Sequence, residues 1–232
     1  MAEIILVILY LIILLYSVII HEVSHGVAAL RMGDRTAQYA GRLTLNPKSH
    51  IDLWGSILVP LFMLLLTGFR FAFGWAKPVP YNPYNLRFQK WGPALVALAG
   101  PATNFLLALI AAILAHFITI PSALKIDLIL NMQRAEWGAI AAVLSGSIGA
   151  IIFTICIMVV FWNVLLAFFN LIPIPPLDGS KLLFSLLPLR AETIAILEQF
   201  GFVILIALVF FFSGPLGLFL NFFWEMFYSI AV

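Results

Sequence analysis

His21-Glu22-Val23-Ser24-His25 sits inside a run, Ile4 to Leu30, that is otherwise apolar. Tyrosines aside, His21, Glu22 and His25 are the only titratable side chains in that run. Ionisable groups inside a spanning helix are costly and persist chiefly where they serve a site. The pattern is H-E-x-x-H, and its i, i+4 spacing sets both imidazoles on one face of a helix, as zinc ligands require. The glutamate beside the first histidine is then within reach of a water activated at such a metal, as a general base. The first reading is a zinc hydrolase site built into a membrane helix.

Composition supports the membrane. Of 232 residues, 64% are hydrophobic and 9% charged, with a mean hydropathy of +1.13. Soluble domains carry about 25% charged residues, so that class is excluded. The net charge of +2 is small, and no basic cluster with interleaved aromatics points to nucleic acid. The lone Cys156 lies in an apolar run, which rules out a disulfide framework or a thiolate zinc site and leaves a buried inert thiol. The N-terminus lacks a charged n-region and a small-residue cleavage site, so the first apolar run reads as a retained helix.

Working outward, five apolar stretches stand out, at residues 4–30, 51–69, 93–120, 138–171 and 192–230. The first, third and fourth exceed the roughly 20 residues needed to cross a bilayer. The last is long enough for two crossings, and Ser213-Gly214-Pro215 reads as the turn of a C-terminal hairpin. The second is short and contains Pro60. No repeat or low-complexity linker is visible. The expectation is one domain over 1–232: an all-α multi-pass membrane protein, a helical bundle of about five to six membrane segments with short re-entrant or interfacial β-elements. Residues 4–30 form its catalytic helix, and 93–120 and 138–171 its core helices.

Charge placement suggests the orientation. Arg31, Arg35, Arg42 and Lys48 precede the second stretch; Arg70, Lys77, Arg87 and Lys90 follow it. Positive residues mark the cytoplasmic side, so both connections read as cytoplasmic. A single crossing by 51–69 conflicts with that. A re-entrant hairpin returning near Pro60 removes the conflict and is preferred, with the crossing as its alternative. At 1.5 Å per residue, His25 lies about 9 Å before Arg31. The metal site is therefore expected within the bilayer, in a multi-pass cell-membrane protein, near the cytoplasmic face.

Two histidines do not complete a catalytic zinc site, which usually has three protein ligands. Asp178 is the strongest third candidate. It ends Asn170-Leu171-Ile172-Pro173-Ile174-Pro175-Pro176-Leu177-Asp178-Gly179, whose prolines forbid a continuous helix. Non-helical backbone at membrane depth is tolerated against protein or a water-filled cavity. Asp178 as the cap of the following helix is the alternative, and the two roles are compatible.

Together with Ala99-Gly100-Pro101-Ala102-Thr103-Asn104, these two motifs resemble the site-2 protease family of intramembrane zinc metalloproteases. The resemblance spans residues 1–190 and fits a minimal branch without PDZ or CBS domains, with Asn46–Asp52 and Gly74–Pro80 as further elements. It implies one Zn²⁺ per chain held by His21, His25 and Asp178, with Glu22 as catalytic base. It places Asn104 close to the metal, as an oxyanion donor or, alternatively, as a hydrogen-bonding bridge between helices. It implies regulated intramembrane proteolysis of single-pass transmembrane substrates, in contact with the lipid bilayer and no nucleic acid; oligomeric state is open.

A helical substrate hides its amides, so it must be unwound. Thr36–Tyr39 and Arg42–Leu45 are expected to form a hairpin about Ala40-Gly41, and Trp75–Tyr81 to be extended. Trp75, Lys77, Pro78 and Val79 are the substrate-binding candidates, by strand addition, with an ordinary interfacial loop as the alternative. His50 and Asp52 read as structural and His116 as a packing histidine. Asn163 and Asn170 share one helix face and line a cavity or bond neighbouring helices. The competing functions are a zinc-binding membrane transporter, which predicts polar groups along a path and repeats, and a non-proteolytic membrane scaffold.

Overall fold

The computed structural model of the chain describes residues 1–66, 74, 76–144, 146–187 and 189–232. Among them the helices, in chain order, are α1 Ala2–Arg31, α2 Thr36–Tyr39, α3 Val59–Leu66, α4 Gly92–His116, α5 Ser122–Gln133, α6 Trp137–Leu144, α7 Ile148–Asn170, α8 Gly179–Leu186 and α9 Ala191–Ala231. Four of these, α1, α4, α7 and α9, are long and apolar enough to cross a membrane. Among the described residues there is no strand.

The bundle is built on α4. Its small residues Ala108, Ala111, Ala112 and Ala115 are buried against Phe153, Ile157, Val160 and Val164 of α7. Small side chains let helix backbones approach closely where the hydrophobic effect gives no help. Residue pairings give the directions. His25 meets Val96 and Ser17 meets Asn104, so α1 and α4 are antiparallel. Asn104 meets Asn163, while Lys125, bonded to Ala115 O, stacks over Phe153, so α4 and α7 are antiparallel too. Phe219 packs on Phe168 and Trp224 on Phe161, which sets the second half of α9 against α7. At the end far from His25, the buried Lys125 ammonium donates to Ala115 O, His116 O and Ala231 O. A cation there satisfies carbonyls left over at two helix C-termini.

Because α1 and α4 are antiparallel, the segment between them leaves and returns at one end of the bundle. The described part of 51–69 holds a wide helical turn, Leu53–Leu58, and α3; eight residues reach only about 12 Å. Residues 67–69 lie outside the described residues.

Two expectations need correction. The 138–171 stretch is two helices, α6 and α7, because Ser147 caps α7 by accepting from Ala150 N at 3.1 Å. The 192–230 stretch, expected as a C-terminal hairpin, is α9, in which two helical halves meet across a kink at Phe212 (φ −118°, ψ 21°), one residue before Ser213. Pro215 has no N–H for Phe211 O and its ring crowds that carbonyl, which accounts for a kink one turn before it. The most apolar window of α9 is only 6% buried, as a lipid-facing helix should be. Finally, Thr36–Tyr39 is a helical turn and not one arm of a β-hairpin, since Asp34 Oδ1 accepts from Thr36 N and Thr36 Oγ1. Gly41, at φ +64°, makes the turn that follows.

Candidate metal centre

One helix face and one loop converge here. The i, i+4 spacing brings the His21 and His25 rings to a centroid separation of 4.6 Å, edge to face. From the other side comes Asp178, at the end of the proline-rich loop after α7. Its Oδ2 lies 3.0 Å from Nε2 of His21 and 3.2 Å from Nε2 of His25. The loop is held from two directions: Gly179 sits where a Cβ would fall 2.3 Å from Leu171 O, and Gly201 of α9 where one would fall 2.4 Å from Pro175 O.

The far nitrogens fix the tautomers. His21 Nδ1 stands 2.5 Å from Asn104 Oδ1, and His25 Nδ1 2.8 Å from Val96 O. A carbonyl only accepts, so His25 donates from Nδ1. Asn104 spends its N–H groups on Asn163 Oδ1 at 2.6 Å and Ser17 O at 3.5 Å, which leaves its Oδ1 to accept from His21. Asn163 in turn donates to Ser17 Oγ and Val159 O. In the neutral rings both Nε2 lone pairs then face a carboxylate oxygen. Three electron-rich atoms facing one another repel unless a cation lies among them.

Two further observations fit zinc. Ligands about 2.0–2.1 Å from a tetrahedral ion stand about 3.3 Å apart, close to the two Asp178 separations. At Gly100 a Cβ would fall 2.6 Å from Cε1 and Nε2 of His21 and from Cε1 of His25. The α4 backbone thus leaves open the space beside the rings that a side chain would fill. His21, Glu22 and His25 also group as side chains able to hold a metal ion.

Glu22 accepts from Val79 N at 2.9 Å through Oε2. Val79 is buried, whereas Lys77 and Pro78 are exposed; Trp75 lies outside the described residues. Lys77 N donates to His50 O and Arg42 Nη2 to Lys77 O, so His50 serves the strap 76–81 and lies off the metal centre. Asp52 caps the wide turn through Gly55 N. Asn170 bonds locally to Leu166 O, whereas Asn163 also bonds across to Ser17 and Asn104. Both polar ends of the fully buried Asn104 are engaged, so its amide reaches the site through His21. Val96, Gly100, Gly26 and Ser17 were not found from sequence; a carbonyl and two missing side chains carry no residue-type signal, although Gly100 lies inside a recognised motif.

A helix-borne histidine pair, a distant carboxylate and an adjacent glutamate within an apolar bundle define a membrane-embedded zinc metallopeptidase. The profile of peptidase family M50 matches residues 9–208, and the chain belongs to that family, the intramembrane zinc metalloproteases of the site-2 type. "Putative zinc metalloprotease YwhC" of Bacillus subtilis is 35% identical over 211 residues, covering 90% of this chain and 82% of that one. "Putative zinc metalloprotease Rip2" of Mycolicibacterium smegmatis is 31% identical over 196 residues, 84% of this chain and 64% of that one. Its Mycobacterium tuberculosis namesake is 28% identical over 195 residues, again 84% of this chain and 63% of that one. The chain therefore spans just under two thirds of the length of the Rip2 proteins. No solved structure matches it. The family bears out the protease reading and its zinc cofactor, and the transporter and scaffold readings are not favoured.

Proposed function

We propose that this chain hydrolyses peptide bonds within or beside the transmembrane helix of single-pass membrane proteins, with His21, His25 and Asp178 holding zinc and Glu22 as the base. The observation that carries the assignment is the meeting of two Nε2 atoms and Asp178 Oδ2 within 3.2 Å. Zinc bound there supplies Lewis acidity, which polarises a scissile carbonyl and lowers the pKa of water. Glu22 takes the proton of the attacking water and passes it to the departing amine. Asn104 keeps His21 in the ligating tautomer, as partners of zinc-bound imidazoles do; an oxyanion role for it would require breaking its bond to Asn163.

The strap Trp75–Tyr81 is the proposed place for unwound substrate. Lys77 N, Lys77 O and Val79 N are already occupied. Substrate amides would pair with the carbonyls on the strap's other edge, where Pro78 and Pro80 offer acceptors and no donors. The basic residues flanking the end of α1 support a metal centre on the cytoplasmic side, and the antiparallel α1 and α4 support a re-entrant 51–69. The test is cleavage of a transmembrane reporter by the purified protein. Chelation, Glu22→Gln and Asp178→Asn should each abolish it, with metal retained in Glu22→Gln and weakened in Asp178→Asn. Full activity in Glu22→Gln would remove the assigned base.

A further inference from the structure

Pro78-Val79-Pro80 carries one main-chain N–H, that of Val79, because neither proline has one. That N–H donates to Oε2 of Glu22 at 2.9 Å. The geometry points to the Val79 amide as a positioning group for the base: it holds the Glu22 carboxylate by one oxygen, from a strap that the fold pins on both sides. The inference rests on the reading of Glu22 as base.

The pins are specific. Upstream, Lys77 N donates to His50 O at 2.9 Å, and Arg42 Nη2 to Lys77 O at 2.6 Å. Downstream, Asn82 N donates to Asp34 Oδ2 at 2.7 Å, and Asp34 Oδ1 accepts from Asn85 Nδ2 at 3.0 Å. Arg87 N closes onto Met32 O at 2.8 Å, tying the strap's far end to the close of α1. Lys77, Val79 and Asn82 each precede a proline, which biases them towards extended backbone and away from helix.

The close approach has its own residue. Gly26 lies one turn beyond Glu22 on the same face of α1. A Cβ there would fall 2.9 Å from Val79 Cγ1 and 2.6 Å from Leu43 Cδ2. The absent side chain lets the buried Val79 seat against α1, and that seating delivers its amide to Glu22.

The physical benefit is orientation. A glutamate has three side-chain torsions, and ordering them costs conformational entropy. A hydrogen bond from a backbone N–H to a carboxylate is charge-assisted and directional. A donor fixed between two prolines holds one carboxylate oxygen without a second mobile side chain to order. A base misplaced by about 1 Å loses on the order of 100-fold in rate.

The test replaces Val79, in the full chain, by α-hydroxyisovaleric acid through nonsense suppression. This exchanges the N–H for an ester oxygen and keeps the isopropyl group. Val79→Ala keeps the N–H and trims the side chain. Both are assayed on a transmembrane reporter beside Glu22→Gln, with zinc content read on the same samples. The ester should lower kcat roughly 10- to 100-fold, the size of one hydrogen bond to a charged group, with zinc content unchanged. Val79→Ala should lose at least fivefold less kcat than the ester. An ester with wild-type or faster kcat overturns the proposal. So does an effect on KM alone, loss of zinc together with kcat, or an equal loss in Val79→Ala. Failure of the base assignment reads out separately, as cleavage by Glu22→Gln.

Discussion

Gly100 of α4 faces His21 so closely that a Cβ on it would lie 2.6 Å from both Cε1 and Nε2 of the ring. The ring cannot retreat freely, because its opposite nitrogen is bonded to the fully buried Asn104. Gly100→Ala should therefore displace the rings and weaken zinc binding about 10- to 100-fold, the range seen when the surroundings of a ligand are disturbed. Gly217→Ala, at a position with open space around it, is the control. Wild-type metal content and activity in Gly100→Ala would mean that the glycine does not shape the site.

Asn104 separates two roles. If its amide orients His21, Asn104→Ala lowers zinc affinity and, by leaving the His21 Nδ1 proton and Asn163 Oδ1 without their buried partner, costs about 1–3 kcal/mol of stability. If it served as an oxyanion donor, kcat would fall with zinc affinity intact. Metal titration and thermal unfolding of the same variant distinguish the two, and the contacts predict the first outcome.

Asp34 makes the strap acid-sensitive. Burial alone raises a carboxyl pKa, but here it is outweighed by the side chains of Thr36 and Asn85 and the amides of Asn82 and Thr36, which hold it below its ordinary value of 3.8. A depressed folded pKa means stability that is complete above the unfolded value and lost as pH falls through the folded one. Asp34→Asn should thus unfold at lower temperature than wild type at pH 7, with the gap closing below pH about 3.8. A gap that stayed constant to pH 3 would show that the charge is not what anchors the loop.

Gly26→Ala tests the strap from the helix side. Alanine is the better helix former by about 1 kcal/mol, so α1 itself should gain. Its methyl nevertheless meets Leu43, Val79 and Ala37 at 2.6, 2.9 and 3.2 Å, which pushes Val79 off Glu22. We expect kcat to fall about tenfold, as for one lost hydrogen bond to a charged group, with zinc retained. A variant as active as wild type, measured on the same reporter, would contradict this coupling.

The pairing of His21 with His25 was readable because helix geometry alone sets i, i+4 neighbours on one face. Asp178 was readable because carboxylates are scarce in so apolar a chain, and proline broke the helix just before it. The break before α7 at 146–147 was hidden from hydropathy, since serine and glycine carry no charge, although Ser147 is a good cap. In α9, Pro215 marked the right place, but a proline in sequence does not say whether the chain bends or reverses. The β-hairpin expected about Gly41 gave way to a helical turn because Asp34, not singled out in the sequence, caps Thr36.

By itself the sequence determined the membrane class, the histidine face and the peptidase family, because each depends on composition or on spacing within one element. Only the tertiary structure decided what surrounds that face: Asn104 behind His21, Val96 O behind His25, Gly100 beside both rings and Val79 N on Glu22. Those partners are 57 to 83 residues away along the chain. Two are backbone atoms and one is the absence of a side chain, so helix packing and a proline-pinned strap, and not residue type, create the contacts.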